Sequence, residues 1–185
     1  MTFMKGEKCE LRVLEATDEE AKAWAQGVNA GLTTRHLFSG SFPMRWIDVQ
    51  KQWQKEREAG SVEFGVWTDG GFIGTCGLYS HRDIYRSWEF RILIFDANAV
   101  GKGVGTEATR MTVHYAFNRC NAHRVYLGVN ADNERAVRCY QKVGFKEEGR
   151  LRDEIFCFGK YHDAIRMSIL EDEWRAQNTV APSSA

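Results

Sequence analysis

Residues 98–108, NAVGKGVGTEA, place glycine at every second position, 101, 103 and 105. The run before them, SWEFRILIF at 87–95, alternates. Trp88, Phe90, Ile92 and Ile94 share one face and Glu89 and Arg91 the other, which predicts a half-buried strand. The run after them predicts a helix from about Val104 to Arg119. Glycine tolerates positive φ and lets a ligand approach the bare backbone. A glycine-rich turn that opens a helix points unpaired N–H groups outward, where an anion is favoured. The spacing does not fit the dinucleotide fingerprint G-x-G-x-x-G, because Thr106 follows the third glycine. A Walker A loop fails twice: Asp96 stands at its first glycine, and Gly103 follows Lys102. From the glycines alone, an ordinary tight turn stays open as the alternative.

Working outward, CELRVLE (9–15) reads as a first strand and TDEEAKAWAQGVNAG (17–31) as a helix. Thr17 and Glu20 have capping-box spacing, and Gly31 suits its far end. A second helix is expected over about 44–58, with Trp46, Val49 and Trp53 on one face. SVEFGVWT, the turn DGG and FIGTCGLYS predict a hairpin. Beyond the glycine loop and its helix come a strand RVYLGV (124–129), a helix NERAVRCYQKV closed by Gly144, and a final hairpin over 145–170. This order predicts a mixed α/β (α+β) single domain. Its central, largely antiparallel twisted sheet has about seven strands, flanked by about four helices. The expected domain spans 8–174, with 175–185 a small polar tail.

The chain has 185 residues and a formal net charge of zero. Nothing in the total charge points to nucleic acid or an acidic membrane surface. Its five cysteines are scattered, with no C-x-x-C pair, which suggests reduced thiols and a cytoplasmic location. The first residues lack the apolar run of a signal peptide, and no run reaches membrane-spanning length. The five histidines lie far apart in no ligand spacing, so no metal is expected.

The loop 100–105 resembles the acetyl-CoA pyrophosphate loop of the GNAT acetyltransferases, [QR]-x-x-G-x-[GA]. About thirty residues on, NERAVRCYQKVGF is similar to their second signature, N-x-x-A-x-x-x-Y-x-x-x-G-F, with Asn133, Ala136, Tyr140, Gly144 and Phe145 in place. The ending, EEGRLRDEIFCFGKYHDAIRMSILEDEW, resembles the ribosomal-protein N-terminal acetyltransferase (Rim-type) branch, which also includes spermidine acetyltransferases. The resemblance is specific over about 87–174. One position departs from the pattern: Val100 stands where the family has Gln or Arg, and keeps only a backbone N–H.

The resemblance implies acetyl-CoA as cosubstrate and no metal. Val100, Gly101, Lys102, Gly103, Val104, Gly105 and Thr106 then form the pyrophosphate cradle at the positive end of a helix. Leu93, Ile94 and Phe95 form the strand edge that pairs with the pantetheine arm. Asn133 and Ala136 adjoin that arm, and Asn133 suits a helix N-cap equally well. Tyr140 is the candidate acid for the departing thiolate, against a plain core tyrosine. Glu89, on the polar strand face, is the candidate general base, working directly or through water.

The resemblance implies an acceptor pocket built mainly from the first two helices, their loop and the loop before the central strand, where Arg35, His36, Arg45, His81, Arg82 and Arg86 outnumber Asp48 and Asp83. Arg35, His36, Arg82 and Glu89 are therefore the candidate acceptor contacts. This basic excess suits a small anionic amine such as a nucleotide-linked amino sugar. The Rim-type resemblance offers a protein N-terminal α-amine as the alternative. A polyamine ranks lower, because the first interhelical loop, LFSGSFP, has no acid. From another class, a non-catalytic acyl-CoA-binding sensor stays open. A homodimer is the partner that the resemblance implies.

Overall fold

The computed structural model describes residues 1–31, 43–80 and 83–178. Strand β1 (Thr2–Lys5) pairs antiparallel with β2 (Glu10–Val13). Helix α1 (Asp18–Asn29) starts at the expected capping box: Thr17 Oγ accepts from the Glu20 N–H, and the Glu20 carboxylate accepts from the Thr17 N–H. Helix α2 spans Trp46–Glu58. It begins two residues later than its pattern suggests, because Asn29 ties down Met44 through both its N–H and its carbonyl.

Strands β3 (Val62–Thr68), β4 (Gly71–Ser80) and β5 (Ser87–Ile94) follow. Then come α3 (Val104–Arg119), β6 (Arg124–Asn130), α4 (Glu134–Val143), the hairpin β7 (Lys146–Cys157) and β8 (Lys160–Leu170), and α5 (Glu171–Asn178). One eight-stranded sheet runs in the order β1-β2-β3-β4-β5-β6-β8-β7. Every pairing is antiparallel except β5 with β6. The expected fold class holds, with β1 and α5 added to the expected elements, and α5 continuing past residue 174.

Strand alternation separates two apolar layers. Phe90, Val125, Leu127 and Met167 face α3, α4 and α5 with Ala108, Phe117, Val143 and Trp174. Leu93 faces the other way, against Trp24, Val28, Val49 and Trp53 of α1 and α2. The Trp24 indole N–H, buried there, donates to Thr75 Oγ at 3.1 Å. Among the described residues no helix is long and apolar enough to cross a membrane.

Candidate active site

The site originates in one parallel pairing. Strands β5 and β6 pair only through Ser87–Glu89 with Arg124–Tyr126. Beyond that, β5 stays on β4 up to Ile94, while β6 follows β8 to Asn130. The two strands therefore splay, leaving one edge of β5 open. A cleft of about 280 Å³ occupies the gap, with Ile92, Leu93 and Ile94 on one wall and α4 on the other.

Strand geometry decides which backbone groups face the gap. The Phe95 N–H donates to the Ile73 carbonyl at 3.0 Å, so it turns toward β4. Because N–H and C=O directions alternate along a strand, those of Leu93 also face β4, while those of Ile92 and Ile94 face the gap. Ile94, a candidate of the sequence reading, and Ile92, which that reading did not include, thus turn their backbone groups to the gap. Phe95 does not line the cleft: its ring packs edge-on to Phe72 at 5.5 Å and against Gly27 of α1.

The glycine loop closes one end of the cleft. Gly101 and Gly103 have φ of 78° and 86°, the left-handed region that glycine alone enters easily. Gly103 is the N-cap of α3. Among the described residues, the N–H groups of Gly101, Gly103, Val104, Gly105 and Thr106 donate to no protein acceptor. These free amides gather at the start of α3, where an anion is favoured. Two of the expected members offer no free N–H. The Val100 N–H is used on the Ala97 carbonyl and the Lys102 N–H on that of Ala99. The Lys102 side chain borders an adjoining cavity, as that of Lys8 does.

Helix α4 supplies the facing wall. Asn133 is its N-cap, its Oδ1 accepting from the Ala136 N–H at 3.2 Å, and both residues line the cleft. Tyr140 lines it too, its ring edge-on to Phe90 at 6.3 Å and to Phe145 at 5.9 Å. Among the described residues its hydroxyl makes no hydrogen bond. Burial, and then the neighbouring Cys139, raise its pKa above the ordinary phenol value. Three cations along α4, Arg135, Arg138 and Lys142, also border the cleft. Their i, i+3, i+7 spacing makes one helical stripe, a signal visible in the sequence that the motif did not include.

Glu89 lies on the opposite face of β5 from Phe90 and Tyr140. Its carboxylate pairs with Arg91 at 2.8 Å, and Arg91 also reaches Glu56 of α2 at 3.3 Å. The Arg91 guanidinium lies over the Tyr79 ring at 4.2 Å, and the Tyr79 hydroxyl donates to Glu63 at 2.7 Å. Burial raises the pKa of Glu63 despite that bond, and its second oxygen has no partner. Gly77, directly between Glu63 and Arg91 across three strands, leaves room for this cluster. Three carboxylates thus surround one guanidinium beside the splay, which the sequence pattern did not foresee because they come from α2, β3 and β5.

Of the candidate acceptor contacts, Arg35, His36 and Arg82 lie outside the described residues, as does His81. The rest of the basic excess is committed elsewhere: Arg45 pairs with Asp48 at 2.7 Å, and Arg86 with Glu171 at 3.1 Å and with the Asn121 carbonyl. Among the described residues no group of His, Cys, Asp or Glu could hold a metal ion.

A profile of the acetyltransferase (GNAT) domain matches residues 10–146. The chain is 36% identical to the spermidine N(1)-acetyltransferase of Escherichia coli K12 over 62% of its own length, an alignment that spans 61% of that relative. It is 28% identical to YdaF of Bacillus subtilis, a putative ribosomal N-acetyltransferase, over 95% of this chain and 98% of the other. Among solved structures, spermidine N-acetyltransferase from Vibrio cholerae in complex with CoA and spermine superposes with a TM-score of 0.80. It shares 28% identity, covering 91% of this chain and 99% of the other. The Vibrio protein has also been solved as a dodecamer, which matches with a TM-score of 0.77 at 28% identity, over 94% and 99% of the two chains.

Proposed function

We propose, for a chain that belongs to the GNAT acetyltransferase family, an acetyl-CoA-dependent N-acetyltransferase that moves acetyl directly to a primary amine of a polyamine. The observation that carries the reading is the splay of β5 from β6. It brings an anion cradle, an open strand edge and an unpartnered phenol to one cleft, with carboxylates on the other side of the strand.

Acetyl-CoA supplies the thioester and its acyl group. The free amides of Gly101, Gly103, Val104, Gly105 and Thr106 hold its pyrophosphate at the N-terminus of α3. The open groups of Ile92 and Ile94 pair with its amide-bearing arm as a neighbouring strand does, and Asn133 and Ala136 border it. Glu89 takes a proton from the substrate ammonium, directly or through water, and leaves the neutral amine that attacks the thioester carbonyl. Tyr140 gives its phenolic proton to the departing sulfur. Burial raises the phenol above its ordinary value, so it keeps its proton until a thiolate forms beside it.

The acceptor assignment departs from the anionic amine that the basic segments suggest. Two of those cations are already neutralised by Asp48 and Glu171. The carboxylates of Glu56 and Glu89 meet at Arg91 on the side of the strand away from Tyr140, where an ammonium-bearing substrate finds acidic partners. The spermidine-acetylating relatives support the same class. The near full-length match to YdaF favours a second reading, an N-terminal α-amine of a protein. Self-association follows by analogy with the Vibrio dodecamer and replaces the simple homodimer.

The test is free-thiol release from acetyl-CoA with spermidine, spermine, peptides with free Ser or Ala N-termini, and a nucleotide-linked amino sugar. Polyamine-dependent release is expected. Release only with peptides would install the second reading. Acetyl-CoA binding without release for any amine would turn the account to the sensor.

A further inference from the structure

The turn between β1 and β2, absent from both sequence signatures, lies against the anion loop. Glu107, in the first turn of α3, fastens it there. One carboxylate oxygen accepts the Glu7 N–H at 3.0 Å. The other accepts those of Lys8 at 2.8 Å and Cys9 at 2.9 Å. The Cys9 thiol adds a weak fourth contact at 3.5 Å. Burial works to raise the pKa of Glu107, but the bonds from Lys8, Cys9 and Glu7 outweigh it and hold the carboxyl below its ordinary value. The turn is therefore set by a group that belongs to the loop's own helix.

This anchoring lays the Lys8 side chain across Gly103. A Cβ built on Gly103 would stand 2.6 Å from Lys8 Nζ and 3.4 Å from its Cδ. Among the described residues the Lys8 ammonium has no carboxylate partner. That is notable beside Glu7, Glu10, Asp69 and Asp96, which border the same adjoining cavity as Lys8. An unpaired cation thus rests on the residue that opens the row of free amides. At the position where a longer side chain would serve the loop, Val100 offers no charge and no free N–H.

We propose that Lys8 binds the pyrophosphate held on the amides of Gly103 and Val104, and that Glu107 is its positioning residue. The inference rests on the reading of the cleft as an acetyl-CoA site. The β1–β2 turn is then the outer wall of the nucleotide site. The cation comes here from a segment about a hundred residues earlier in the sequence.

Calorimetric titration of CoA and dephospho-CoA into the wild-type chain and into Lys8→Met and Lys8→Arg tests it. Lys8→Met should weaken both ligands about five- to tenfold, the loss expected of one partly exposed charge-assisted contact. Lys8→Arg should restore most of the affinity. The deficit of Lys8→Met should shrink as salt screens the contact. Glu107→Ala should produce a similar loss, and Lys8→Met/Glu107→Ala no more than either alone. Should Glu107→Ala fold poorly, the Lys8 pair still decides. Unchanged affinity in Lys8→Met, with the wild-type chain binding CoA, overturns the proposal. A deficit with CoA but none with dephospho-CoA overturns it as well, by moving the contact to the 3′-phosphate. Absence of CoA binding by the wild-type chain would instead overturn the site reading itself.

Discussion

The Tyr140 ring stands edge-on to Phe90, centroids 6.3 Å apart, and its hydroxyl has no protein partner among the described residues. An aromatic packed at its edge and unbonded at its tip is held in place without its proton being engaged. Tyr140→Phe keeps that packing and removes only the donor. We expect kcat to fall about 10²- to 10⁴-fold, with the affinity for CoA changed less than about twofold. Initial rates and calorimetry on the same preparation check both. Unchanged kcat would remove Tyr140 as the acid.

Glu89→Gln tests the base through its pH dependence. Below the amine's pKa the acceptor is an ammonium ion and must lose a proton before it attacks. The variant should therefore lose about a hundredfold in kcat/KM at pH 7. The deficit should narrow as pH approaches about 10.4, the value for an alkyl ammonium of the lysine kind. A deficit constant across pH would mean that Glu89 acts only through its pair with Arg91.

Glu107 gives a stability signature of definite sign. Its folded pKa lies below the unfolded value. Its contribution is therefore present above about 4.5 and lost as pH falls through the folded value. Glu107→Gln should cost about 1 kcal/mol near neutral pH, a figure for charge-assisted bonds discounted for partial exposure. Urea midpoints of wild type and variant should converge as pH drops below about 4. A gap that persists there would make the loss one of shape and not of charge.

Thr75→Val leaves the buried Trp24 indole N–H without its acceptor while keeping the volume of the side chain. A cost of about 1–3 kcal/mol is expected, read as a lower urea midpoint with unchanged slope. Acetyl transfer at saturating substrate should be unaffected, because the bond lies in the α1–α2 layer and not in the cleft.

The parts of the fold legible in the sequence are those that local chemistry dictates. The capping box of Thr17 and Glu20, the alternation of 87–94 and the helix after the glycine loop all appear where residue spacing puts them. Strand β1 was not legible: its four residues carry no period, and Glu107, about a hundred residues away, holds the adjoining turn. The second half of α5, 175–178, falls in the stretch read as a polar tail. Trp174, stacked on Phe117 at 5.2 Å, keeps the helix on the core. Alternation told which side chains of β5 share a face. It did not tell which N–H groups face the gap, since that depends on which strand occupies each edge. For this reason Ile92, and not Phe95, joins Ile94 in facing the gap. The carboxylate cluster was hidden for a related reason: α2, β3 and β5 meet only in the folded sheet.

The most direct test of the account is a competition. Equal concentrations of spermidine, an Ala-terminated peptide, a Ser-terminated peptide and a nucleotide-linked amino sugar share one reaction with limiting acetyl-CoA, and mass spectrometry identifies which molecule gains the acetyl group. Acetylated spermidine as the dominant product, dependent on Tyr140, is the predicted result. Acetylation confined to the peptides or the amino sugar, with spermidine untouched, would contradict it.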